Sequence, residues 1–245
     1  MKLRILILAL LTALPAHAQL LQQVIANSGT TTVGGHTFSA PSQRAASTGG
    51  AAGTTKTVAF ASNPTTGHLV AVMITLETGG GGGGITLSSV VDGASNSYTL
   101  TSAFIGTFGH CYGAYLLSAP ANANKTLTAT FSSSVPVNAV DLFAVDVAYT
   151  GAGNAVFDQF QGASPTGSAV TSPTLTSTVA NEFLYSSIDA STSLSATSTP
   201  WTSGGANNAN NNGDAYVNSS GGGNVAVNYT VTGTGTSDVI AIGFR

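Results

Sequence analysis

The sequence predicts an all-β protein built as an antiparallel β-sandwich, and three observations carry that prediction. No stretch repeats apolar residues three and four apart among helix formers. Short runs rich in Val, Ile, Thr, Tyr and Phe alternate with clusters of Gly, Asn, Ser and Pro, the pattern of strands and turns. Charged residues make up 6% of the chain beside 42% hydrophobic residues. The solvated surface must therefore be built from Ser, Thr, Asn and Gly, because ordinary globular proteins carry about 25% charge.

The N-terminus reads as a cleaved signal peptide over 1–18. Lys2 and Arg4 precede an apolar run from Ile5 to Leu14, broken only by Thr12, then Pro15 and the small-x-small tripeptide Ala16-His17-Ala18. That run is too short for a helix spanning about 30 Å of hydrocarbon, and no later stretch is long enough, so no membrane span is expected. The expected address is secreted: extracellular, cell-surface or periplasmic. Removing residues 1–18 takes two of the six basic side chains and none of the nine acidic ones. Arg44, Lys56, Lys125 and Arg245 are too few and too scattered to neutralise a phosphate backbone, which sets nucleic acid aside. Cys111 stands alone, so no internal disulfide forms and stability must come from packing.

Residues 19–54 read as an N-terminal extension or arm. "LLQQVIANSGTTTV" could add a strand, and "SAPSQRAASTGGAAGTT" has the composition of a linker or long surface loop. Residues 55–245 form the sandwich domain. Its expected strands, in order, are "TKTVAF" at 55–60, "HLVAVMITL" at 68–76, "ITLSSVV" at 85–91, "HCYGAYLL" at 110–117 and "KTLTATF" at 125–131. Then come "VDLFAVDVAY" at 140–149, "EFLYSSI" at 182–188, "VAVNYTV" at 225–231 and "DVIAIGF" at 238–244. The hexaglycine at 79–84 lies between two of these runs and lacks the Lys-Ser/Thr and helix of a phosphate-binding loop, so it reads as a mobile connector. "TVAFASNPTTGHLVAVMI" and "PTLTSTVANEFLYSSI" echo one another, each running from a Thr-rich strand through a polar turn into an apolar strand. Such an echo favours a duplicated or Greek-key arrangement, and closely repeated short strands without intervening helices favour a sandwich of the jelly-roll or immunoglobulin-like kind.

"VAFASNPTTGHLVAVMI", "LSSVVDGASNSYTL", "YGAYLLSAPANANKTLTATFSSS", "AYTGAG" with the following "FDQFQGASPTGSAVTSPTLTSTVANEFLYSSI", "PWTSGG" and "DVIAIGF" together cover most of the chain after residue 54. In these stretches the chain resembles a β-sandwich module of poorly defined function that recurs in secreted and surface-attached bacterial proteins. The resemblance implies a fold and export, and it brings no catalytic set. Relatives often carry an acid just before the tyrosine of "AYTG", where this chain has Ala148, with Asp146 two positions earlier on the same strand face.

Candidate chemistry is sparse. Asp141 and Asp146, and Glu182 and Asp189, are separated by odd spacings that place each pair on opposite faces of a regular strand. Glycoside hydrolysis needs two acids facing one substrate. A secreted polysaccharide hydrolase with acids from separate strands is therefore the alternative reading, and no catalytic residue is assigned. His110 and Cys111 are adjacent on opposite faces, and Cys111 reads as a small core residue. His36, His68 and His110 lack metal-ligand spacing. Asp92 and Asn96 in "VDGASNSY" could offer oxygens to calcium, but an Asp-Gly turn explains them with fewer demands. No metal and no cofactor is expected.

A ligand patch is expected at Trp201, Asn207, Asn208, Tyr216 and Asn218, where an aromatic face could stack on a sugar ring while amides bond its hydroxyls. For Trp201 itself the favoured reading is a partly buried tryptophan pinning a loop to the sandwich, because large aromatics are usually well buried. The functional expectation is an exported, non-enzymatic protein acting through surface contacts, as a glycan-binding or adhesion module or as a subunit of an extracellular assembly. Its expected partners are a glycan or other copies of itself.

Overall fold

The computed structural model of the chain describes residues 35–77, 84–177, 179–197, 201–207, 211–219 and 223–245. The expected leader, the arm before residue 35, the glycine run up to Gly83 and Asn208 lie outside the described residues. The rest is all β. In chain order the strands are β1 (Thr37–Phe38), β2 (Gln43–Thr48), β3 (Gly53–Ala59), β4 (Leu69–Glu77), β5 (Leu87–Asp92), β6 (Thr99–Leu100) and β7 (Phe104–Ile105). They continue through β8 (Gly109–Leu116), β9 (Thr126–Val135), β10 (Val140–Val147), β11 (Tyr149–Thr150), β12 (Phe157–Ala163), β13 (Thr166–Thr171) and β14 (Leu175–Ser177). The last are β15 (Phe183–Ala190), β16 (Leu194–Thr197), β17 (Thr202–Asn207), β18 (Asn212–Asn218), β19 (Gly223–Val225) and β20 (Asn228–Phe244). Among the described residues every strand pairing is antiparallel.

The strands make four layers. An outer sheet of order β3-β9-β5 covers a central sheet of order β2-β10-β4-β8-β6, with β7 also on β8. A second central sheet of order β12-β20-β15-β18-β17 is covered by β13 and β16, which flank the first half of β20. Period-two alternation sorts the side chains of the central strands into two cores. Val70, Val72, Ile74, Leu142 and Ala144 meet Val58, Leu127, Ala129 and Phe131 of the first outer sheet. On the opposite face of the same strands, Ala71, Met73, Phe143 and Val145 meet Tyr185, Ile240, Ile242 and Phe244 of the second central sheet. A third core joins Leu184, Ile188, Val239 and Ala241 to Val170, Tyr229, Val231 and Trp201. β10 and β15 are consequently buried along their whole length, and β4 along all but Glu77.

The two halves of the described chain repeat one plan. β4 and β10 pair Leu69 with Val147 and Thr75 with Asp141; β15 and β20 pair Phe183 with Phe244 and Asp189 with Asp238 in the same register. β8 pairs with β4 as β18 pairs with β15, and β2 lies beside β10 as β12 lies beside β20. The weak echo between the Thr-rich segments thus falls on β3–β4 and β14–β15. The halves differ at one corner. β9 and β10 are separate strands around Pro136, whereas β20 runs 17 residues without a break and switches sheets midway. Its exposure changes there from alternating to wholly buried.

Residues 43–48, expected as linker or surface loop, are the edge strand β2. The segment "QRAAST" has little intrinsic strand preference, and its pairing to β10 supplies the order.

Candidate functional site

Where β12 borders the edge of the first central sheet, the layers part to leave a cleft of about 420 Å³, within the range of small-molecule sites. β6 and the residues after it contribute Leu100, Thr101 and Ser102, β8 contributes Tyr115, and β12 contributes Phe157, Gln159, Phe160 and Gln161. Its aromatic wall is fixed from behind. Tyr115 and Phe157 stack at 5.0 Å with an interplanar angle of 4°. Phe244 meets both edge-on, at 5.5 Å from Tyr115 and 6.3 Å from Phe157.

The polar groups divide into anchored and free. Gln159 accepts from the Thr176 amide at 3.2 Å and donates to its carbonyl at 2.8 Å, so this side chain acts as a surrogate strand neighbour. The Thr101 hydroxyl accepts from Gly113 N at 2.9 Å and donates to the Ser102 carbonyl at 3.0 Å. Among the described residues, the Gln161 amide and the Ser102 hydroxyl have no hydrogen-bond partner, and both residues are exposed. The lining carries no carboxyl, imidazole or ammonium group; burial raises the Tyr115 phenol above its usual range. Such a surface can stack on an apolar ring face and exchange neutral hydrogen bonds, and it holds no side chain suited to general acid or base work near neutral pH.

The residues expected to form a ligand patch are divided between two cores. Trp201 is 5% exposed, belongs to the outer core of the second half, and donates its indole N–H to the Ala226 carbonyl at 3.1 Å. Tyr216 packs on the opposite side of its sheet, between the central layers, stacked on Phe183 at 6.1 Å with the Arg44 guanidinium 5.1 Å from its ring centroid. Asn218 donates to the Phe38 carbonyl at 2.8 Å. Asn207 pairs with Asn212 across β17 and β18. The halves do connect the expected patch to the cleft: Tyr115 on β8 holds the place that Tyr216 holds on β18. At that second position Arg44, the counterpart of Phe160, covers the ring instead of leaving a cleft.

The carboxyl groups divide between separately held acids and one group that lies between the central sheets. Asp92 accepts from the amides of Ala94, Asn96 and Asn124 and from the Asn96 side chain, all at 2.8–2.9 Å. Burial alone would raise its pKa, but these donors together hold it below the usual value. Asp146 is bound by His68 at 2.8 Å and Gln43 at 3.1 Å, while Asp141 accepts from Gly49 N at 3.1 Å and from the Asn212 amide. Asp214 is held by Arg44 and the Tyr185 hydroxyl, each at 2.8 Å. Acids from separate strands also gather between the central sheets: Glu77 at the end of β4 and Asp141 in β10 bear on Asp189 in β15, at the level where Asn212, paired to Asp189, donates across to Asp141. Sequence spacing could not bring Asp189 to the other two, since they lie on different halves of the chain. Among the described residues no three acid, imidazole or thiol groups could hold a metal ion.

No protein-family model matches the chain, and no curated protein matches it.

Proposed function

We propose that the chain is an exported, non-enzymatic β-sandwich protein that binds a neutral glycan in the cleft between β6 and β12. The observation that carries this reading is the lining itself: a fixed aromatic wall beside an unengaged amide and hydroxyl, with no charged side chain. Sugar rings offer an apolar face to an aromatic and hydroxyls to an amide, and a neutral cleft imposes no charge requirement on them. Export is motivated by the N-terminal sequence, and the jelly-roll or immunoglobulin-like topology expected for secreted modules suits a rigid platform of this kind.

The test is calorimetric titration with a panel of neutral oligosaccharides against the wild type and the variants Phe160→Ala and Gln161→Ala. Each substitution is expected to weaken binding about tenfold, equivalent to roughly 1.4 kcal/mol. Gln161 is exposed, so Gln161→Ala keeps the test informative where Phe160→Ala perturbs packing. Absence of binding to every sugar, or unchanged affinity in both variants, overturns the proposal.

Assembly with other copies is the second reading, favoured by the outer sheet β3-β9-β5, whose edge strand β3 pairs with β9 alone among the described residues, while the outer side of β5 is bridged from Val91 to Ser97. Its wet face carries rows such as Thr57–Thr128 and Thr55–Thr130. Concentration-dependent sedimentation toward fibres or sheets would support it.

A further inference from the structure

We propose that the Glu77–Asp189 pair is a proton-held latch between the two halves of the molecule, closed while the pair retains a proton and loosened as rising pH removes it. The two residues come from β4 and β15, the middle strands of the two central sheets, at the level where Asn212, paired to Asp189, donates across to Asp141, paired to Thr75, so a proton shared between Glu77 and Asp189 ties one half to the other. A hydrogen bond between two carboxyls needs a proton on one of them. Asp189 is 3% exposed and its second oxygen has no partner, so ionising it would leave an uncompensated charge between the sheets.

The groups facing the pair increase that cost. Asp141 on β10 and Asp238 on β20 bring negative charge toward Asp189, and Cys111 on β8 is a buried thiol. Asn212 on β18 gives its N–H to Asp141 and leaves its own carbonyl oxygen unpartnered. Lys56 on β3 is the cation that bears on Asp141, and its ammonium is also engaged by the Ala51 carbonyl. Asp238 is satisfied separately, by Thr107 N and Phe108 N at 2.8 Å and the Ser164 hydroxyl at 2.6 Å.

Burial first, then the Glu77 charge, pushes Asp189 well above the ordinary carboxylate range, and burial likewise raises Glu77. Asp141 is pushed up to about 7, again by burial first and then by Glu77. An acid whose folded pKa is raised binds more protons in the native state than in the unfolded chain. Its contribution to stability is complete below the unfolded value and is lost as pH rises from there through the folded value. The latch therefore weakens from mildly acidic through alkaline pH, opposite to the usual effect of a salt-bridged carboxylate.

The test follows urea midpoints of the full chain from about pH 5 to about pH 9 for wild type, Asp189→Asn and Glu77→Gln. Asn at 189 keeps a donor toward Glu77 and cannot ionise, so the fall in midpoint across this range should shrink to half or less. Glu77→Gln removes the neighbouring charge and should shrink it as well, which keeps the test decisive where Asp189→Asn fails to fold. Amide exchange at the ends of β4 and β15, corrected for intrinsic pH dependence, should quicken with pH in wild type more than in either variant. An equal midpoint loss in wild type and the folded variants, or exchange that quickens equally in all, overturns the latch.

Discussion

Replacing Gly162 by alanine tests whether the halves press together where β7 meets β12. Phe104, on β7 of the first central sheet, lies flat over Gly162 on β12 of the second. A Cβ at Gly162 would fall 2.1 Å from Cγ of that ring and 2.4 and 2.5 Å from its two Cδ atoms. Carbon atoms rest about 3.5–4.0 Å apart, so the ring would have to retreat by more than about 1 Å. Overpacking of this kind costs about 1–3 kcal/mol. Phe104 is half-buried, so Phe104→Ala should cost about 2 kcal/mol, roughly half the loss for a fully buried ring. Independent sites would make the double variant lose about 4 kcal/mol, the sum of the two. The contact instead predicts that the double variant is no less stable than Phe104→Ala alone, a coupling of about 2 kcal/mol. Urea unfolding of the four proteins measures this. Additivity to within about 0.5 kcal/mol would refute the facing of β7 and β12 on which the cleft depends.

Two further outcomes follow from the same packing. Arg44→Met should destabilise by about 3 kcal/mol in chemical denaturation, because it leaves the buried Asp214 carboxylate with the Tyr185 hydroxyl as its remaining side-chain partner. Adding Asp214→Asn should recover most of that loss, and a loss unchanged by the second substitution would refute the ion-pair account. Cys111 is 1% exposed, and burial pushes its thiol well above the ordinary range. Ellman's reagent should therefore react with the native protein at least about 100-fold more slowly than with the urea-unfolded chain, and comparable rates would contradict a closed central interface.

Strand positions were most legible where apolar content ran unbroken. "HLVAVMITL", "VDLFAVDVAY" and "EFLYSSI" coincide with β4, β10 and β15 to within two residues at each end, apart from β11, which takes the last residue of the second run. Their lack of clean alternation also signals burial on both faces, which a single sandwich with one wet face does not require. β2, β12, β17 and β18 were not legible. "QRAAST", "FDQFQGA" and "NGDAYVN" hold polar or small residues whose strand geometry comes from backbone pairing to an apolar neighbour, and "TSGGAN" is ordered in turn by pairing to "NGDAYVN".

Site residues divide in the same way. Trp201 was visible as the sole tryptophan, but which side of its sheet it serves depends on the placement of β17, which it immediately precedes. Phe160 and Gln161 sit in "FDQFQGA", where nothing local distinguishes a cleft wall from a surface turn. Their relation to Tyr115 depends on β12 lying against the edge of the other half.

By itself the sequence determined that the described residues are all β, low in charge, and built around a few strongly apolar strands, because period and composition are local properties that burial of each segment must respect. The tertiary structure decided that the sheets stack four deep, that Glu77 reaches Asp189, and that an aromatic cleft opens beside β12. Those facts belong to pairs of residues far apart in the chain, and their closeness is set by how whole sheets face each other.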